Sequence, residues 1–299
     1  AAWKPSHYRF LARYTEHLRA QYDYGEARLL DSREIRNHLD TSRYHGGCLD
    51  QGAGHLHPLK FALGLGQAAA DAGVSIYHQS KVTNIHRKGG QSLIRTDHGQ
   101  LITPIVVLAC NGYLGNLESR LTGAIMPINN FILATESLGE ERARNLIRND
   151  VAVSDTKFVV DYFRMSPDHR LLFGGGENYT RRFPTDIKSF VRRYMLRVFP
   201  QLSKVCVDYA WGGTLAITRS RLPLFGRFDG DTYYALGYSG QGVALATLAG
   251  QVLSDAIAGT VEDFDVFARL PRRQFPGGSL LRWPSLAFGM MYYALRDQL

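Results

Sequence analysis

The chain is poor in cysteine, in long apolar runs and in clustered charge, and each shortage excludes something. Three cysteines, Cys48, Cys110 and Cys206, are scattered over 299 residues. An odd, dispersed set argues against a disulfide framework and fits a reducing, cytoplasmic setting. No apolar stretch reaches the roughly 18 residues that a membrane span requires. The net charge of +8 is diffuse, with Arg181-Arg182, Arg192-Arg193 and Arg272-Arg273 as separate pairs. Without a basic stripe, a P-loop, a zinc finger or an RNA-binding signature, nucleic acid is not an expected partner. His45, Cys48, His55 and His57 are too loosely spaced for a metal site, so no metal is expected; His55 and His57 are expected to hydrogen-bond in a loop at a domain seam. Internal repeats and low-complexity segments are absent. The chain opens on Ala1-Ala2-Trp3, without Met or a signal peptide, and a segment upstream is expected.

What remains is an ordinary globular composition, 45% hydrophobic and 21% charged, enough for one large domain or two. Residues 6–24 carry apolar positions at helical spacing with Ser6 as N-cap, and Asp31 to Leu39 predicts a second short helix. His57-Pro58 introduces a small-residue helix over Leu59 to Ala72, closed by Gly73. Val74 to Tyr77 predicts a strand. Val82–Arg87, Ser92–Thr96 and Gln100–Pro104, separated by glycine turns, predict an antiparallel meander. It leads into the continuous apolar run Ile105–Cys110, of the kind buried on both faces of a sheet. Ile128–Ala134, Phe158–Met165 and Leu171–Gly174 predict strands, and Asp186–Phe199 a helix ended by Pro200. Leu280–Leu299 predicts an aromatic-rich helix broken by Pro284, expected to dock on its own domain or on a second subunit rather than to lie on a membrane surface.

The most telling segment is Tyr234-Ala235-Leu236-Gly237-Tyr238-Ser239-Gly240-Gln241-Gly242-Val243. A strand breaks into a glycine turn, and the turn opens a helix apolar on nearly every side. The N–H groups and dipole at a helix start suit an electron-rich edge, such as that of a reduced flavin. The same turn also serves plain strand-to-helix packing.

Five motifs in order carry a family resemblance. These are Gly54-His55-Leu56-His57-Pro58, Val107-Leu108-Ala109-Cys110-Asn111-Gly112-Tyr113, Leu172–Glu177 followed by Trp211-Gly212-Gly213 and Arg221-Leu222-Pro223, the Gly237–Val243 turn, and Arg273–Gly278. The chain resembles the C-terminal two-thirds of flavin-dependent amine and amino-acid oxidases of the D-amino-acid-oxidase and glycine-oxidase type, nearest their gamma-glutamylputrescine oxidase-like branch. The implied fold is α/β (α+β): an FAD/NAD(P)-binding-like domain over 45–120 and 206–270, interrupted by a mixed or antiparallel substrate sheet over 121–205. Residues 1–44 would be a helical lead-in on the substrate side, 271–299 a helical tail, and the ligand site would lie at the seam. Such families begin with a strand and a G-x-G-x-x-G turn for the pyrophosphate. Nothing in residues 1–60 fills that part, so another segment or chain is expected to supply it.

The resemblance implies FAD as cofactor and a small amine as substrate. Hydride would pass to flavin N5, with oxygen or an electron carrier as final acceptor. Ser239, Gly240, Gln241, Gly242 and Val243 would face the ring's pyrimidine edge, with Asn111, Gly112 and Tyr113 near the flavin and Val82 near the adenine. Tyr162, Arg164 and Trp211 would contact substrate, with Tyr238 at the ring. In amino-acid oxidases an Arg often follows the Trp-x-Gly run; Leu215 stands there, which favours an amine whose charge lies farther off. Two other readings remain open: a dehydrogenase of the same fold passing electrons to a quinone or carrier, and a non-catalytic binding subunit that has lost the cofactor grip.

Overall fold

The computed structural model describes residues 1–178, 182–278 and 284. Helix α1 (Pro5–Tyr22) starts one residue before the expected cap, because Pro5 occupies the first turn, where a missing N–H costs nothing. Strands β1 (Ala27–Leu30) and β2 (Gly47–Asp50) pair antiparallel. Between them the expected helix shrinks to a 3-10 turn at Ile35–Asn37. Its capping box is nevertheless complete: Asp31 accepts from the N–H of Glu34 at 2.7 Å, and Glu34 accepts from that of Asp31 at 2.9 Å.

Helix α2 (Pro58–Asp71) has His57 as N-cap, and Gly73 closes it with φ +87°. The strand expected over Val74–Tyr77 is not formed. A strand exists only by pairing, and among the described residues nothing pairs with this one; Tyr77 is 79% exposed. The meander follows the sequence closely, as β3 (Val82–Lys88), β4 (Gln91–Thr96) and β5 (Gln100–Thr103). Strand β6 is short (Val106–Leu108) and, contrary to expectation, open on one face, with Val107 exposed. Among the described residues it stands at the edge of its sheet, paired with β13 alone.

Helix α3 (Ser119–Thr122), β7 (Ile125–Ser137), α4 (Glu140–Leu146), β8 (Val153–Ser154), β9 (Tyr162–Met165) and β10 (Arg170–Asn178) follow. Strand β9 begins four residues later than expected. The chain from Asp155 to Asp161 is instead a loop, tied by the Asp161 N–H donating to Asp155 at 3.1 Å. Helix α5 (Ile187–Val198) is capped by Asp186, which accepts from Ser189 N at 3.0 Å. Then come β11 (Val207–Thr218), β12 (Leu224–Phe228), β13 (Thr232–Leu236), α6 (Gly242–Ala258) and α7 (Glu262–Ala268). The helix expected at Leu280–Leu299 lies outside the described residues.

These elements form two compact units. Of the described residues, the first holds Ala1–His55 and Asn129–Gly213, and the second holds Leu56–Ile128 and residues 214–278. Unit 1 is built on a sheet of order β11-β7-β10-β9-β8. One face of that sheet carries Phe131, Leu133, Phe163, Leu171 and Phe173 into a core shared with Val191, Met195 and Val198 of α5. Phe163 stacks on Phe173 at 5.5 Å and meets Phe199 edge-on at 5.1 Å. Each such ring contributes roughly 2–3 kcal/mol by burial. Unit 2 contains the meander and a mixed sheet of order β12-β13-β6, with β13 and β6 parallel. Its cores lie on either side of that sheet, one around Leu108, Leu121, Leu224 and Leu236, the other between Phe225, Tyr233 and α6.

Candidate functional site

In unit 2, two turns meet at the carboxyl ends of the parallel strands β6 and β13, the end where α/β sheets bind ligands. After β6 the chain folds into a 3-10 turn, Asn111-Gly112-Tyr113. After β13 it runs through Gly237-Tyr238-Ser239-Gly240-Gln241 into α6. Three of these residues are left-handed: Gly237 at φ +78°, Ser239 at +52° and Gly240 at +99°. Asn111, itself left-handed at φ 46°, accepts from Gly237 N through Oδ1 at 3.1 Å and locks the turns together. A side chain at Gly237 would sit 2.5 Å from Cγ2 of Thr218, and one at Gly112 would sit 2.3 Å from the carbonyl oxygen of Thr214. Glycine is required at both places.

Ser239 is pinned on both sides. Its N–H donates to Ala216 O at 3.0 Å, and its hydroxyl accepts from Thr218 N at 3.2 Å. Thr218 lies on β11, and no residue spacing points to it. Gly240, by contrast, has open space where a Cβ would stand. Gln241 provides no side-chain cap for the 17-residue α6, so the helix start is formed without a polar side chain of its own over it. Val243 is half exposed and Tyr113 is exposed. Tyr113 accepts from Thr214 N through its hydroxyl at 3.1 Å. Tyr238 is buried at the base of the turn among the residues of β13 and α6, and burial pushes its phenol up to about 12. Val82 begins β3 in the separate meander sheet.

In unit 1, side-chain alternation sorts the candidates onto one face of the large sheet. Phe163 points into the core, so Tyr162 and Arg164 project from the opposite face. Ala210 packs on the core and Gly212 lies under Phe131, so Trp211 projects from that same face. Strands β7 and β10 lie between Trp211 on β11 and the β9 pair, a separation of roughly 14 Å at the usual strand spacing. The Tyr162 ring covers Gly174, where a Cβ would come within 2.1 Å of it. Its hydroxyl donates to Asn130 Oδ1. Arg164 Nη1 meets His55 Nδ1 at 3.0 Å, and His55 Nε2 meets the Asp150 carbonyl at 2.7 Å. His57 acts as the α2 cap, accepting from Lys60 N at 3.4 Å. Among the described residues no group of three or more His, Cys, Asp or Glu could hold a metal ion.

A family model described as FAD dependent oxidoreductase, DAO, matches residues 2–256. The chain belongs to this family. It is 41% identical over 280 residues to gamma-glutamylputrescine oxidoreductase of Escherichia coli (strain K12), a match covering 93% of this chain and 66% of that protein. It is 38% identical over 285 residues to a probable oxidoreductase, OrdL, of Rhizobium meliloti (strain 1021), covering 95% of this chain and again 66% of the relative. The chain thus spans 66% of the length of these curated relatives. Glycine oxidase from Geobacillus kaustophilus superposes with a TM-score of 0.77 at 20% identity, over 92% of this chain and 74% of that one. That likeness establishes the α/β fold of the DAO-family chain.

FAD is the group this family implies, and the unit 2 turn fits the ring side of it. An uncapped helix start, a left-handed glycine turn and open space at Gly240 offer backbone N–H groups to an electron-rich edge. No G-x-G-x-x-G run occurs anywhere in the chain, so these residues supply no pyrophosphate cradle of that kind.

Proposed function

We propose that this chain forms the flavin-ring and substrate portions of an amine oxidase acting on a gamma-glutamylputrescine-like amine, with oxygen as electron acceptor. The observation that carries the reading is the 41% identity to gamma-glutamylputrescine oxidoreductase over 93% of the chain. Leu215 supports it, because it stands where an amino-acid oxidase would carry a carboxylate clamp. When bound, FAD supplies a two-electron acceptor for the hydride leaving the amine-bearing carbon. The substrate C–N bond becomes an imine, which water hydrolyses to an aldehyde and ammonia, and oxygen is reduced to peroxide.

The chain's own residues orient and bind. The N–H groups of Gly240, Gly242 and Val243 would face the electron-rich edge of the ring, while Gln241 N–H donates to the Tyr238 carbonyl at 2.9 Å and so closes the turn. Asn111, Gly112 and Tyr113 form the neighbouring turn and would lie near the flavin, and the backbone at Val82 would hold the adenine. Tyr162, Arg164 and Trp211 receive the substrate on the open sheet face; an aromatic face suits an amine or its cation. The pyrophosphate turn comes from further polypeptide, which also covers the apolar surface of α2 and Val74–Tyr77. Free Cys48, Cys110 and Cys206 suit a cytoplasmic setting.

The visible spectrum of the purified protein tests this, followed by anaerobic addition of gamma-glutamylputrescine. Yellow protein that bleaches, and then consumes oxygen on reopening to air, is the expected result. Bleaching without oxygen uptake would move the acceptor to a quinone or carrier. Colourless protein that refuses added FAD, even with the missing turn supplied, would leave a binding subunit.

A further inference from the structure

We propose that Arg164, aimed by His55, is a subsite for a carboxylate carried at the far end of the amine substrate. This deepens the amine-oxidase reading and rests on it. Arginine is always protonated and has no acceptor. Its 3.0 Å contact with His55 Nδ1 therefore makes that nitrogen the acceptor, and the ring proton resides on Nε2. Nε2–H then donates to the Asp150 carbonyl at 2.7 Å. That carbonyl is held in place by two consecutive left-handed residues, Asn149 at φ 62° and Asp150 at φ 49°, a backbone that other residues rarely adopt.

The consequence is electrostatic. Other arginines in the fold meet carboxylates: Arg120 meets Glu118 and Asp229, and Arg170 meets Asp168 and Asp208. Among the described residues Arg164 meets none. Its partner is a neutral acceptor, which fixes the guanidinium without cancelling its charge. The Asp150 carboxylate turns outward and is 76% exposed, with its Oδ2 3.9 Å from His55 rather than on Arg164. A fixed, uncompensated guanidinium with donors to spare recognises a carboxylate in two-point fashion. It lies two residues from Tyr162 on the same open face, about 7 Å along the strand. The ligand class is an amine bearing a carboxylate several bonds from the reacting carbon.

The test uses the flavin-loaded enzyme, with gamma-glutamylputrescine and putrescine as an amine pair with and without the carboxylate. The quantity read is the ratio of their kcat/KM values. Arg164→Met is expected to collapse that ratio by about 30-fold, mostly through KM for the carboxylate-bearing amine. Arg164→Lys keeps part of it. His55→Leu lowers it about fivefold, and His55→Gln, which can accept from Arg164 and donate to Asp150, restores it. A ratio unchanged in Arg164→Met, or equal losses in His55→Leu and His55→Gln, overturns the inference. If the parent enzyme oxidises neither amine, the amine-oxidase reading fails separately. Calorimetric binding of glutarate then decides: tighter binding to the parent than to Arg164→Met supports the subsite, and equal binding removes it.

Discussion

Helices α5 and α2 are of similar length, 12 and 14 residues, yet they fare oppositely in their two units. Helix α5 is strongly amphipathic and buries Val191, Met195 and Val198 in the core of unit 1. Helix α2 is the more apolar of the two and buries no residue; Leu63 is 64% exposed. Hydrophobicity alone therefore does not place a helix in a core. A stripe with a polar back, as on α5, is satisfied by one neighbouring sheet. A helix apolar on several sides needs layers on more than one side, and unit 2 supplies too few from the residues described. Contiguous apolar surface of this kind marks a docking place, in keeping with the polypeptide proposed to carry the pyrophosphate turn.

The largest effect is expected from hollowing out the core of unit 1. Phe173→Ala should cost about 3–5 kcal/mol, because Phe173 is wholly buried against Phe163; the urea midpoint checks it. Next comes the turn of unit 2. Gly237→Ala forces a Cβ against Thr218 at a positive φ, so a loss of about 2–3 kcal/mol, with weaker flavin retention, is expected by thermal melting and absorbance. The buried carboxylates of unit 1 add a pH dependence. Burial raises Asp155 to about 7, and Asp161 is shifted the same way, chiefly by burial. The folded state then holds a proton that the unfolded chain releases from about pH 4 upward, so stability falls as pH rises from about 4 to 7. Asp155→Asn should remove its share of that slope, on the order of 2 kcal/mol, in urea titrations at pH 5 and 8. The smallest effect is expected on α2: Leu63→Ala should change the stability of this chain by under about 0.5 kcal/mol. A Leu63→Ala loss as large as that at Phe173 would mean that α2 has a core of its own, and the contrast would disappear.

Local chemistry made much of the architecture readable. Pro58 and Gly73 bracket α2, Asp186 starts α5, and Gly89-Gly90 and Asp97-His98-Gly99 punctuate the meander; each acts within a few residues of itself. The glycine turn before α6 was readable for the same reason. Pairing was less so. Among the described residues Val74–Tyr77 has a strand's composition and no strand to pair with, and β6 reads as central yet stands at an edge. In the site, Tyr162 and Arg164 could be placed on one face because alternation on a strand is a local rule. The His55–Arg164 contact joins residues 109 apart, and Thr218 reaches Ser239 from another strand. Neither contact leaves a trace in residue spacing, because tertiary folding alone brings those groups together.

Strand β9 also behaves as a ruler. A pleated backbone sets every second side chain at a nearly fixed interval, and the bare Gly174 beneath Tyr162 keeps the surface level. Anything lying along that surface meets a phenol and then a guanidinium at one distance and in one order. Length and polarity are thus measured by the backbone itself. A change of chain length in the ligand would be met by altering which alternate positions carry the two groups, with no need to reshape the fold.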